Sequence, residues 1–143
     1  MYAPGHLALG YFAASLTRKN NGSLQRLLIV WFFSLLPDID LLLPFMSHRG
    51  DTHSIAAILI LVAVSLIWQG FLPYAAVYAN HILVDDLITR GSPLLWPIRN
   101  QYIGFRFLFQ PSLFESIVEI ILFTAMLLSI QLKEDWIQEE NTC

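Results

Sequence analysis

The chain has 143 residues, 56% of them hydrophobic and 13% charged, with a net charge of −3 and a mean hydropathy of +0.58. That length allows one domain, and charged residues at well under the usual quarter or so point away from an ordinary soluble domain and toward a membrane protein. The small acidic balance, with no basic stripe, argues against nucleic acid as a partner, and the lone cysteine, Cys143, has no intrachain disulfide partner.

Five apolar segments follow in chain order, all expected to be helices, because lipid demands that backbone polar groups be satisfied within a segment or a closed barrel. Five strands cannot close such a barrel. The first segment, 6–17, is short, and its basic pair Arg18-Lys19 follows the apolar run instead of preceding it, so it is expected to stay on the protein and not be cut as a signal peptide. A polar turn, N20-N-G-S23, leads to the second segment, 24–43, which P37-D-I-D40 interrupts. After the polar stretch H48-R-G-D-T-H-S54 comes the third segment, 54–72, and a tight turn from Gly70 to Pro73 opens the fourth, 73–89, which carries His81, Asp85 and Asp86. A loop rich in proline and arginine, 90–112, precedes the fifth, 113–132, with Glu115 and Glu119 inside it. The third and fifth approach the roughly 20 residues needed to cross about 30 Å of hydrocarbon. The expectation is an all-α integral membrane bundle of about five helices, with 1–132 as one embedded domain and 133–143 as an acidic tail.

Threading the segments alternately through a membrane sorts the polar residues onto one face. His6 opens the first segment, the second ends at Asp38 and Asp40, the third begins after His48 and His53, and the fourth returns to that face with His81, Asp85 and Asp86. Ionisable groups at membrane depth cost about 2.5–3.5 kcal/mol each on insertion scales, so a gathering of them marks a function and calls for a compensating cation. Mixed imidazole and carboxylate ligands suit zinc or a similar transition metal such as manganese.

Each piece alone has a plainer account. H81-I-L-V-D85 sets two ligand types four residues apart on one helical face, yet a helix–helix hydrogen bond explains the pair equally well. Asp38 and Asp40, following Pro37, could form a turn or cap, or one could bind a metal while the other orients a histidine. In the H48–S54 stretch, Thr52 or Ser54 is expected to cap the third helix and Arg49 to reach along the interface. None of these accounts explains why the histidines and carboxylates converge on one layer.

P4-G-H6, L36-P-D-I-D40, H48-R-G-D-T-H-S54 and H81-x3-D85-x3-T89-x-G-x-P-L-L-W-P97 together resemble, in order, the YdjM-like family of membrane-bound metal-dependent hydrolases. The resemblance covers residues 4–97. It implies that His6, Asp38, Asp40, His48, His53, His81 and Asp85 are the candidate metal ligands, enough for two or more ions. That family is distantly similar to the zinc-dependent phospholipase C and P1 nuclease group, which implies cleavage of a phosphate ester. L41-L-L-P44 departs from the polar or histidine-bearing continuation of many relatives, leaving the role of Asp40 open between ligand and orienting group.

On this reading Arg49 binds phosphate or developing negative charge, since its planar fork matches phosphate oxygens, and Asp51 or Asp86 serves as a general base. A site at the membrane surface favours a membrane lipid or another amphiphilic phosphate ester as substrate. The alternatives are an ion-binding or transport protein, against which the absence of an internal repeat counts, and a non-catalytic assembly protein whose polar groups join helices. Basic residues divide four and four between the two faces, so the charge rule does not orient the chain. Arginines occupied by substrate or carboxylates would place the motif face of this prokaryotic membrane protein outside the cytoplasm.

Overall fold

The structure, a computed structural model, describes residues 3–17, 24–43, 49–86, 91–105 and 113–142, with the backbone alone at Asp85, Glu115 and 133–142. Its helices are α1 (Ala3–Thr17), α2 (Leu24–Leu35), α3 (Ile55–Ile67), α4 (Leu72–Asn80) and α5 (Leu113–Thr142). No strand occurs among the described residues, only an isolated antiparallel bridge between Ser92 and Ile103. The all-α expectation and its five helices therefore hold.

α1 is the hub of the bundle, packing on α2, α4 and α5. Its small residues permit this. Ala8 and Tyr11 are buried with Met126 of α5, and Ala14 is buried with Val30 of α2 and Val77 of α4. Gly10 sits where a β-carbon would lie 2.7 Å from Ser34 Oγ and 3.2 Å from Val77 Cγ1, so only glycine lets α1 approach α2 and α4 this closely. A third cluster, Tyr78, Ile82 and Leu94, ties the end of α4 to the loop beyond it.

The regular helices give way to irregular turns at one end. α2 stops before Pro37, and Leu36–Leu42 continues as a 3-10 helix with that proline in its first turn, where a missing N–H costs no helical bond. Asp51–His53 forms another 3-10 turn, and Ser54 caps α3, its hydroxyl accepting from the Ala57 N–H at 3.3 Å. The expected Ser54 cap is thus present. α4 passes into a π-helical turn, His81–Asp86.

One expectation is revised and a second gains detail. The apolar run 54–72 is helical only over the 13 residues Ile55–Ile67, about 20 Å at roughly 1.5 Å per residue, too short to cross about 30 Å of hydrocarbon. The stretch read as a separate tail continues α5 as far as Thr142. Counting only the described residues, no helix is long and apolar enough to cross a membrane. Large apolar side chains nevertheless point outward along the bundle, among them Leu28 and Phe32 of α2, Leu66 and Ile67 of α3, and Ile120 and Leu128 of α5. Exposed apolar surface so continuous marks a face that meets lipid or another protein.

Candidate metal centre

Three irregular turns and the start of α1 deliver their polar side chains to one buried point. Asp38 stands at its centre. Its Oδ1 lies 3.3 Å from His53 Nε2 and 3.7 Å from His81 Nε2, and its Oδ2 lies 3.6 Å from His6 Nε2. Asp86 Oδ2 is 3.8 Å from the same His53 nitrogen. His6 stacks on His81 with ring centres 4.3 Å apart, and His53 meets His81 edge-on at 5.5 Å. Two sets of three side chains, His6 with Asp38 and His81, and His53 with His81 and Asp86, each bring ligand atoms within 4.8 Å of one another.

These separations suit metal ligands better than hydrogen bonds. An N–H···O bond spans about 2.7–3.2 Å, whereas ligand atoms held about 2.0–2.2 Å from a tetrahedral ion stand roughly 3.3–3.6 Å apart. The tautomers agree. His81 Nδ1 lies 2.8 Å from the Ser34 carbonyl and must donate to it, which turns the lone pair of Nε2 toward Asp38. His53 Nδ1 faces Thr52 Oγ1 at 3.1 Å and Asp40 Oδ2 at 3.5 Å, which likewise leaves its Nε2 as the lone-pair nitrogen pointing inward.

Asp40 thus takes the orienting role that the sequence left open. Its Oδ2 also accepts from the Arg49 backbone N–H at 2.7 Å and from Thr52 Oγ1 at 3.4 Å. A carboxylate so engaged would fix the angle of the His53 ring. Arg49 adopts a left-handed backbone, φ 59°. Its guanidinium lies 3.3 Å from Asp86 Oδ1 and donates to the Gly91 carbonyl at 3.2 Å.

Among the described residues the cluster gathers three carboxylates and one guanidinium around neutral-capable imidazoles, a balance that favours a bound cation. Burial alone would push the Asp38 carboxyl up. With the rings protonated, the state opposite to the lone-pair one above, a hydrogen bond from His53 and then the positive charge on His81, His6 and His53 outweigh burial and hold it below the usual carboxylate range. Asp38 belongs to the 3-10 turn beyond the end of α2.

The candidates from the sequence sort as follows. His6, Asp38, His53 and His81 come together, with Asp40 behind His53. His48 lies outside the described residues, and so does the side chain of Asp85. Asp86, expected as a general base, instead stands among the ligand atoms, because the π turn bonds residues five apart and brings Asp86 over His81. Arg49, expected to hold phosphate, holds Asp86 and the loop. Asp51 is exposed, and its carbonyl accepts from Ser54 Oγ at 2.9 Å. Asp51 is in neither ligand set.

Ser34 is a functional residue that the sequence reading missed. Its hydroxyl donates to the His6 carbonyl and its own carbonyl receives His81 Nδ1, so one residue of α2 ties together histidines of α1 and of the π turn after α4. The signal was a hydroxyl inside the apolar run W31-F-F-S-L-L36. Tyr78 was also missed, and its hydroxyl donates to the Thr52 carbonyl at 2.5 Å, clamping the turn that carries His53.

The inner membrane protein YdjM of Escherichia coli (strain K12) is 41% identical over 63 residues, a match covering 36% of this chain and 31% of that protein. The inner membrane protein YdjM of Shigella flexneri matches to the same extent. The chain thus aligns with about a third of the length of these curated relatives. No solved structure matches it. The family described as YdjM inner membrane protein matches residues 1–140, nearly the whole sequence. The chain belongs to the YdjM family of inner membrane proteins.

Proposed function

We propose that this is a membrane-bound metal-dependent hydrolase that cleaves a phosphate ester of a lipid or other amphiphile. The observation that carries the reading is the convergence of three imidazole Nε2 atoms on the two oxygens of Asp38, with Asp86 beside them, at separations of 3.3–3.8 Å. His6, Asp38, His53, His81 and Asp86 would hold the metal, zinc in preference to manganese given three imidazoles. Five ligand residues and two overlapping sets suit more than one ion. Bound there, such ions supply Lewis acidity and a water acidic enough to attack at neutral pH.

The remaining residues position this machinery. Asp40 and Thr52 set the ring of His53, Ser34 sets His6 and His81, and Arg49 holds Asp86 while neutralising part of its charge. The outward apolar side chains and the family's membrane character support a bundle embedded in lipid with the cluster at one face. Neighbouring helices and lipid-facing side chains would compensate the shortness of α3.

A panel of phosphate mono- and diesters offered to zinc-loaded protein tests the activity. The expected result is turnover that stops on chelation and returns with zinc. A protein that binds zinc but turns over no ester in the panel would favour ion binding over hydrolysis.

A further inference from the structure

The side chains of the cluster differ in exposure. His53 and Asp86 side chains are 0% exposed, His81 2% and His6 6%, whereas Asp38 is 22% exposed. The loop from Gly91 to Phe105 is tied to the elements that carry the cluster. Its Leu94 carbonyl accepts from Ile55 N–H at 2.9 Å, Ser92 and Ile103 exchange backbone hydrogen bonds, and Gly91 accepts from Arg49. Asp38, the most exposed of these side chains, can be reached from the side on which it is exposed.

That side is a cleft of about 710 Å³ between α1, α2 and the 3-10 helix that follows α2. The volume falls within the range of about 300–1,000 Å³ usual for small-molecule sites. Its walls include Leu7, Leu28, Phe32, Leu35, Ile39 and Leu42, and among the described residues its ionisable lining groups are His6 and Asp38. An apolar trough with polarity at one point matches a molecule of the same pattern. A small anion gains nothing from the leucines, and a plain hydrocarbon gains nothing from the histidines.

We propose that this cleft seats the single hydrocarbon chain of an amphiphile whose phosphate head is thereby delivered to His6 and Asp38. The inference rests on the metal-centre reading for the head group, while the chain-binding part stands on the cleft alone. Leu28, Phe32 and Leu35 act as specificity residues for the chain. Its burial is a binding contribution made at a distance from the reacting atoms.

The test is calorimetric titration of zinc-loaded protein in lipid nanodiscs, against empty nanodiscs, with n-alkyl phosphates from butyl to decyl, inorganic phosphate and 1-decanol. Affinity is expected to rise with each methylene by up to about fourfold, equivalent to about 0.8 kcal/mol. Inorganic phosphate and decanol should each bind far more weakly than decyl phosphate. Leu28→Trp and Leu35→Trp, which fill the cleft, should each weaken decyl phosphate by at least about tenfold, with zinc content and inorganic phosphate binding unchanged. Leu66→Trp, on the exposed face of α3, should behave as wild type. Circular dichroism checks that each variant folds, and either cleft variant suffices. Affinity flat with chain length, inorganic phosphate or decanol as tight as decyl phosphate, or both filled variants binding normally would overturn the proposal. Decyl phosphate and inorganic phosphate binding equally tightly with and without zinc, the chain-length dependence intact, would keep the cleft and remove the metal reading instead.

Discussion

The two ends of this bundle are built on different rules. Around Tyr11, Ala8 and Met126 the helices are regular, and the core is apolar packing whose members could be exchanged for others of like volume. Around Asp38 every segment but α1 leaves regular geometry: a 3-10 turn after α2, another before α3, and a π turn after α4. Regular helices repeat one side-chain direction, whereas convergence on a point needs backbones that bend toward it. The difference teaches that stability and function are separable here, since the packing end holds the helices and the irregular end aims the ligands.

Variants can break that separation or sharpen it. The largest effect is expected from Asp86→Asn, which should strip most of the bound metal in an elemental assay while leaving helical content intact; near-normal metal would return Asp86 to the general-base role. Met126→Ala, at the opposite end, should cost about 2–5 kcal/mol in an unfolding titration through the cavity it opens, with the metal count per folded chain unchanged. If metal falls with it, the two ends are not independent. Asp40→Asn should weaken zinc by about 10–100-fold in a chelator competition, the usual consequence of losing a carboxylate that orients a ligand histidine.

Gly10→Ala couples the two ends. Its β-carbon would meet Ser34 Oγ at 2.7 Å, so a destabilisation of about 1–3 kcal/mol is expected from overpacking. Zinc affinity should drop as well, because Ser34 holds both His6 and His81. Unchanged affinity would mean that the histidines do not depend on Ser34. Smallest of all, Asp51→Asn should leave metal content, fold and hydrolysis at wild-type levels.

Much of the polar end was legible in the sequence, because its signals are chemical. Histidines and aspartates at the ends of apolar runs are conspicuous, and alternation alone placed His6, Asp38, His53 and His81 together. The place of Asp86 beside His81 was not legible. An α-helical spacing favours the residue four away, and only the π turn brings in the one five away. Arg49's left-handed backbone, which sends its guanidinium to Asp86, leaves no mark in composition or periodicity. The end of α3 at Trp68 leaves only a faint mark, Gln69 and Gly70 inside the run 54–72. Ser34 and Gly10 were visible as small or polar interruptions, but their importance lies in what packs against them, which a linear chain does not display.

The measurement that bears most directly on the central claim is the number of metal atoms per chain in detergent-purified wild type, prepared without chelators and after zinc addition, beside Asp38→Ala. The metal-centre account predicts one or more zinc atoms in the wild type and close to none in the variant. Equal metal content in the two proteins, or none in either, would contradict it and leave the histidines and aspartates as groups that join the helices.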